Sequence, residues 1–446
     1  MIALRRSADR ATATQRLVSP PGTPALRPAV PPRRLCRGAL AALALCLAAA
    51  LGGGLGRGAA SAGEPRGATP TGDIAEERLN VERRRAIRRG AAWIAQKQNR
   101  GGSYGDDKAI VAATSLATLA LLADGSGMDR GPYGEKVTSS VLWLVDLIEN
   151  PTSSEARYPR GYFHWPKDGS SRMHGQGYAM LALASALGTA TERNGRSATR
   201  IRRALKQAVA CCQSSQTATG GWGYEPTGSN EHEGSVTVTI AQALRAARDA
   251  GVLVSEEVVR HGLDYLRNSQ KLVGRGPATT PTSEDGSFKY SMNMENSSYA
   301  LTAAAISSFF LFGEYGRDKE MRGRIDRGIA YMRRRLASTL HTSDRPFFHY
   351  GHFYAAWAAW QYDGNLPTPV PGQGWDRDPA SGDIERTTQF WGPWHAKMYR
   401  VLVDDQAEDG RWQPKDDRYA YGDLVPTTFA VLTLAIPDEL LPIFQR

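Results

Sequence analysis

The sequence predicts an all-α protein, with six helix pairs closed into a double-layered (α/α)6 toroid. Three observations predict it. A turn signature recurs along the chain, its spacing fits the chain six times, and the two helices of each pair differ in kind.

The turn reads Gln-x3-Gly-x-aromatic. It runs from Gln98 through Gly102 to Tyr104, from Gln216 through Gly220 to Trp222, and from Gln406 through Gly410 to Trp412. Gly286-Ser287-Phe288 keeps the second half. Before the turns lie stretches such as Ile201 to Gln213, Val258 to Leu266 and Ile325 to Leu336. Their apolar residues stand three and four apart with Arg or Lys between them, which predicts amphipathic helices with a solvent face. A second signature follows each turn: Tyr104-Gly105, His174-Gly175, Glu233-Gly234, Glu295-Asn296, Tyr350-Gly351 and Tyr421-Gly422. Each opens a run of Ala, Ser, Thr and Leu, such as Ala179 to Leu187 or Ala300 to Phe312. Such a helix is apolar or small on every side and must be buried on several of them. The second residues of the six signatures stand 70, 59, 62, 55 and 71 apart, a mean near 63. A ring of buried helices inside a ring of amphipathic ones satisfies both patterns. An open six-repeat solenoid would need polar capping repeats, and neither end of the sequence shows one.

The first 62 residues are different. They hold nine Arg, one Asp and no Lys. A basic segment around Arg33-Arg34 precedes an uncharged run from Gly38 to Gly56, and Ala60-Ser61-Ala62 follows. Those are the parts of a secretory signal. The expected organisation is a leader over 1–62, a linker over 63–78 and a toroid domain over 79–446, exported to a periplasmic or extracellular location. The alternative is an uncleaved anchor through 38–56, which would attach the protein to a membrane. The full chain carries a net charge of +10 from 55 basic and 45 acidic residues. Without the leader the balance is 46 against 44, so the composition gives no support for nucleic-acid binding. Of four Cys, Cys211 and Cys212 remain. They are neighbours on one expected helix and read as two small buried hydrophobes rather than a disulfide or a metal site.

In these turns and helix pairs the sequence resembles the terpenoid-cyclase and protein-prenyltransferase toroid superfamily, most of all exported bacterial proteins with prenyltransferase/squalene-oxidase repeats. The resemblance covers roughly Leu79 to Arg446 and is carried by stretches such as Gly220-Gly221-Trp222-Gly223-Tyr224 and Tyr350-Gly351-His352-Phe353-Tyr354. It implies that the turn Gln satisfies free backbone groups at a helix end and that Trp222 and Trp412 staple neighbouring turns. It does not carry over the known chemistries. No D-x-D-D motif occurs, the zinc set of Asp, Cys and His is missing, and so is the thioester sequence Gly-Cys-Gly-Glu-Gln. Asp404-Asp405-Gln406-Ala407-Glu408 fits the class I isoprenoid pattern, but Gln406 is a turn glutamine, so the match reads as coincidence.

In a closed toroid the six inner helix N-termini ring one mouth of a central funnel. Glu233, Glu295 and Asp423 are candidate catalytic carboxylates there. His174, Gln176, Asn296, Tyr350, His352, Tyr354, Trp357 and Tyr421 are candidate ligand contacts. Plain capping of the helix dipoles by Glu233, Glu295 and Asp423 is the competing explanation. Two sharper readings stand beside it. Glu233 and Glu295 form an acid/base pair for a sugar polymer, or His174, His352 and an acid hold a divalent cation. The expectation taken forward is a toroid without metal or cofactor that binds a small-molecule, isoprenoid or polymeric ligand. The alternatives are a diverged terpenoid or prenyl enzyme, a glycan-acting enzyme and a protein-binding toroid. The sequence does not determine the oligomeric state.

Overall fold

A computed structural model describes residues 70–151, 158–228, 231–272, 285–340, 347–364, 390–414 and 422–445. They all fall within one compact unit, Gly67–Arg446. The expected leader and anchor lie outside the described residues.

Helices account for the regular structure, apart from short isolated β-bridges at the turns. The outer layer comprises α1 (Pro70–Gln96), α3 (Gly134–Glu149), α5 (Gly195–Ser214), α7 (Glu256–Ser269), α9 (Lys319–Leu340) and α11 (Trp391–Asp404). The inner layer comprises α2 (Ile110–Ala123), α4 (Arg172–Leu187), α6 (Gly234–Asp249), α8 (Tyr299–Leu311), α10 (Phe348–Gly364) and α12 (Leu424–Ala435). Each inner helix packs on the inner helix before and after it, and α12 returns to α2. The ring is closed.

The two helix types follow from their sequences. On α5, Ile201, Ala204, Leu205, Ala208, Val209 and Cys212 form one buried stripe, while Arg196, Arg202, Arg203 and Lys206 face water. On α2 every residue except Ala112 is buried. Small residues let the inner helices approach: a Cβ on Gly177 of α4 would sit 2.5 Å from Thr239 of α6. Cys211 and Cys212 are free, buried thiols, as the sequence implied.

The turn signature links one repeat to the next. The Gln216 amide donates to the Gly220 carbonyl and to the Val258 carbonyl of α7. Gln98 does the same to Gly102 and Lys136 of α3, and Gln270 to Gly286 and Arg324 of α9. Gln406 ties Gly410 to Ala86 of α1, across the seam between the last repeat and the first. Trp222 Nε1 donates to the Cys212 carbonyl and Trp412 Nε1 to that of Leu402, both 2.7 Å. These carbonyls belong to the last turns of α5 and α11, which have no helical N–H left to accept from. Trp222 and Trp412 are the expected staples.

Two expectations change. α1 begins at Pro70, inside the stretch 63–78 read as linker. Proline suits the first helical position, and Glu, Ala and Leu continue the helix. The second turn also has a signature that the Gln spacing does not reveal. Gly161, at φ +91°, precedes Phe163 by two residues, and its glutamine comes from the inner layer. Gln176 of α4 donates to the Gly161 carbonyl and accepts from Phe163 N–H at 2.9 Å.

Candidate functional site

The inner helices begin next to the turns, so their N-termini gather at one end of the ring. A cavity of about 510 Å³ opens there. All six inner helices, or the residues directly before them, supply its wall: Ala112 and Leu116; His174 and Tyr178; Glu233 and Ser235; Ser298 and Leu301; Phe348 and Tyr350; Val425 and Phe429. Tyr224, Tyr290 and Pro414 reach it from the turns. Among the described residues, Glu233 is the one carboxylate in the wall.

Glu233 is the N-cap of α6. Its Oε2 accepts from Val236 N–H at 2.9 Å and from Ser235 Oγ at 2.5 Å. The second oxygen, Oε1, is buried without a hydrogen-bond partner among the described residues. Burial pushes the carboxyl pKa above its ordinary value. The hydrogen bonds from Ser235 and Val236 pull it partly back, with a smaller contribution from Tyr290. Ser235 Oγ also lies 2.9 Å from His174 Nε2, so a short polar chain runs from Glu233 through Ser235 to His174. Burial lowers the His174 pKa to about 4, leaving the ring neutral. Tyr224 and Tyr290 share a hydrogen bond of 2.5 Å beside this chain, and the Tyr224 ring lies 5.7 Å from that of His174.

The far end is plugged. One turn deeper than Tyr350, Tyr354 donates to Gln242 Oε1 at 3.2 Å. Trp357 lies near-parallel to it at 6.3 Å, and both are fully buried. Phe353, Phe429 and Phe444 complete the packing, with Phe444 contributed by the C-terminal 3-10 turn Pro442–Phe444.

The sequence candidates therefore separate. His174, Glu233 and Tyr350 meet in one cavity wall. Tyr354 and Trp357 lie beneath the floor as packing. Gln176 is fully buried and occupied by the second turn. His352 faces the outer layer: Nε2 donates toward the Thr339 carbonyl at 3.4 Å, and the ring sits among Tyr299, Phe348 and Trp394. It shares no site with His174, and no group of three His, Cys, Asp or Glu side chains suited to a metal occurs among the described residues. Glu295 is 77% exposed and paired with Lys289 at 2.5 Å. Asn296 beside it is exposed too. Asp423 pairs with Arg411 at 3.1 Å and makes no side-chain cap. Capping explains Glu233, but α8 is capped by Ser298, not Glu295. Tyr421 lies outside the described residues. His349 falls inside α10 and lines the cavity.

Sequence reasoning missed Tyr224, Tyr290, Ser235 and Phe429. A signal for the first two exists. Tyr224 follows the staple Trp222 by two residues and Tyr290 follows Phe288 by two. Both tyrosines thus stand at the same offset from a turn aromatic, and both line the cavity.

No family model matches the sequence, and no curated protein matches it. Solved structures do. The GH76 alpha-1,6-mannanase from Salegentibacter sp. HEL1_6 aligns over 80% of this chain and 99% of its own, at 8% identity and a TM-score of 0.51. An inactive variant of that mannanase in complex with alpha-1,6-mannotetrose covers 79% and 98%, at 10% identity and 0.52. The type II terpene cyclase MstE from Scytonema covers 81% and 99%, at 15% identity and 0.48. The chain is an α/α toroid. The fold implied by the sequence resemblance is present. Identities this low speak for fold and not for activity. Among the described residues no helix is long and apolar enough to cross a membrane.

Proposed function

We propose that this is an exported protein that binds an apolar ligand, isoprenoid-like in size and shape, in its central funnel. The observation that supports it is the wall itself. A cavity of about 510 Å³, lined mainly by Leu, Val, Ala, Phe and Tyr and closed at its floor, falls in the size range of small-molecule sites. The glycan-acting alternative needs two facing carboxylates. Glu295 pairs with Lys289 outside the cavity, and Glu233 has no second carboxylate beside it among the described residues. Export is supported by the leader sequence.

The test is direct binding of farnesol to the full protein by titration calorimetry, with an α-1,6-linked mannotetraose as the glycan comparison. Ala112→Phe projects a ring into the cavity from a wall position. It should weaken farnesol binding at least ~10-fold, about 1.4 kcal/mol, with an unchanged melting temperature. Binding of the oligosaccharide alone would reverse the reading. N-terminal sequencing of secreted protein should find the chain starting at Gly63.

A further inference from the structure

We propose that the funnel selects apolar ligands carrying a hydroxyl head group, and that Glu233 and Tyr350 hold that hydroxyl. The inference rests on the ligand-binding reading above and names the ligand's polar end.

Glu233 is 3% exposed. Its Oε2 is satisfied twice over, by Ser235 Oγ and Val236 N–H, while Oε1 is buried in the cavity wall without a well-formed hydrogen bond among the described residues; the Tyr290 hydroxyl beside the carboxylate is bonded to Tyr224 and contributes least to holding its charge. A buried polar atom without a partner is costly, and a native protein rarely leaves one except where a ligand or ordered water completes it. A carboxylate oxygen only accepts, so the missing group is a donor. A second orphan lies in the same wall. The Tyr350 hydroxyl is buried and unpartnered, and it is close enough to Glu233 to feel its charge. A phenol has a proton to give. A ligand head group that completes both atoms of this wall donates to Glu233 and accepts from Tyr350. A hydroxyl does both on one atom. An ether or ketone only accepts, an ammonium only donates, and a phosphate or carboxylate would face the Glu233 charge. The remaining wall, with Leu116, Leu301, Val425 and Phe429, offers an apolar chain its surface.

The test uses three ligands with one hydrocarbon chain: farnesol, farnesyl methyl ether and farnesylamine, each titrated into the full protein. Farnesol should bind ~10-fold or more tightly than the ether, as expected for one hydrogen bond to a charged group. Glu233→Gln keeps an acceptor for the α6 cap but can turn its NH2 toward the ligand, so the alcohol-to-ether ratio should fall near one. Tyr350→Phe should weaken alcohol and ether alike, because either oxygen can accept from Tyr350. Should Glu233→Gln fail to fold, the wild-type ratio and Tyr350→Phe decide the matter. A wild-type ratio near one, or a ratio unmoved by Glu233→Gln, overturns the hydroxyl inference and leaves the apolar funnel standing. Tighter binding of the amine overturns it in favour of a cationic head. If none of the three binds, the ligand reading itself falls, and the inference with it.

Discussion

His174 and His352 look equivalent in the sequence, each next to the marker glycine of an inner helix. Packing gives them opposite faces: one meets Ser235 at the cavity, the other meets Thr339 and Trp394 in the outer layer. Nothing local in the sequence distinguishes them, because helix rotation is set by packing against other helices, such as α6, whose Ser235 lies 61 residues from His174. Both have pKa values lowered to about 4, chiefly by burial. An ordinary histidine titrates near 6.5. Between those values the unfolded chain binds more protons than the folded one. The stability these groups contribute is therefore complete above about pH 6.5 and is lost as pH falls toward 4. One such group changes stability by up to ~1.4 kcal/mol per pH unit in that window. His352, 3% exposed, is the cleaner case; part of the His174 ring reaches the cavity. His352→Gln should flatten the slope of stability against pH between 6.5 and 4 by about one proton's worth. Urea unfolding at pH 7, 6 and 5 measures it, and an unchanged slope would show that His352 titrates normally in the fold.

At the scale of the element, the Gln-x3-Gly-x-aromatic turn is where sequence and structure agree best, because every position has a local job. Gly220 shows the strictest one. Its φ is +88°, and a Cβ there would lie 2.2 Å from the His261 carbonyl oxygen of α7. Gly251 has a similar φ of +80° but nothing within 4 Å. Left-handed backbone costs an L-residue about 1–2 kcal/mol, so Gly251→Ala should cost roughly that. Gly220→Ala adds a collision with backbone, and its total should exceed about 3 kcal/mol. Chemical unfolding of both variants tests the difference; equal costs would mean that the turn yields easily and is no staple. The same element explains what the sequence concealed. The helix pairs, their order and four of the turns were legible from periodicity and spacing. The turn at Gly161 was not, because its glutamine is Gln176 on the following inner helix, outside any local pattern. The cap of α8 was misassigned for a similar reason. Glu295 begins the signature, but the helix starts later, and Ser298 reaches Leu301 N–H. At the candidate site, the shared offset of Tyr224 and Tyr290 from Trp222 and Phe288 could have marked them as a pair. The orphaned oxygen of Glu233 could not be read at all, since it depends on which donors the finished ring brings near.

Closing the ring joins residues about as far apart as the chain allows, and the seam has its own anchor. Arg83 of α1 donates from Nη1 and Nη2 to the two carboxylate oxygens of Asp438, at 2.9 and 2.7 Å, and from Nη1 to the Leu434 carbonyl. The pair spans 355 residues of sequence. Loop-closure entropy grows only with the logarithm of that span, so bringing the ends together costs on the order of 5 kcal/mol beyond a constant. Seam contacts acting together can meet such a cost: α12 against α1 and α2, Gln406 on Ala86, Trp412 beside Gly90 and the Arg83 pair. The pair is asymmetric. The Arg83 side chain is 2% exposed and that of Asp438 is 23% exposed. Removing Arg83 leaves a carboxylate that water can reach. Removing Asp438 leaves a buried guanidinium with the Leu434 carbonyl and, at 3.4 Å from Nε, Asn80 Oδ1 as acceptors, and nothing for Nη2 among the described residues. Asp438→Ala should therefore destabilise the protein more than Arg83→Met, by about 3 kcal/mol against about half of that, on the usual cost of stranding a buried charge. Because the seam holds both layers, loss of the pair should lower the midpoint of one cooperative urea transition rather than create a second. A separate early transition in Asp438→Ala would instead mean that the first and last repeats can part while the other repeats stay folded, and that the seam is a local contact rather than the lock of the ring.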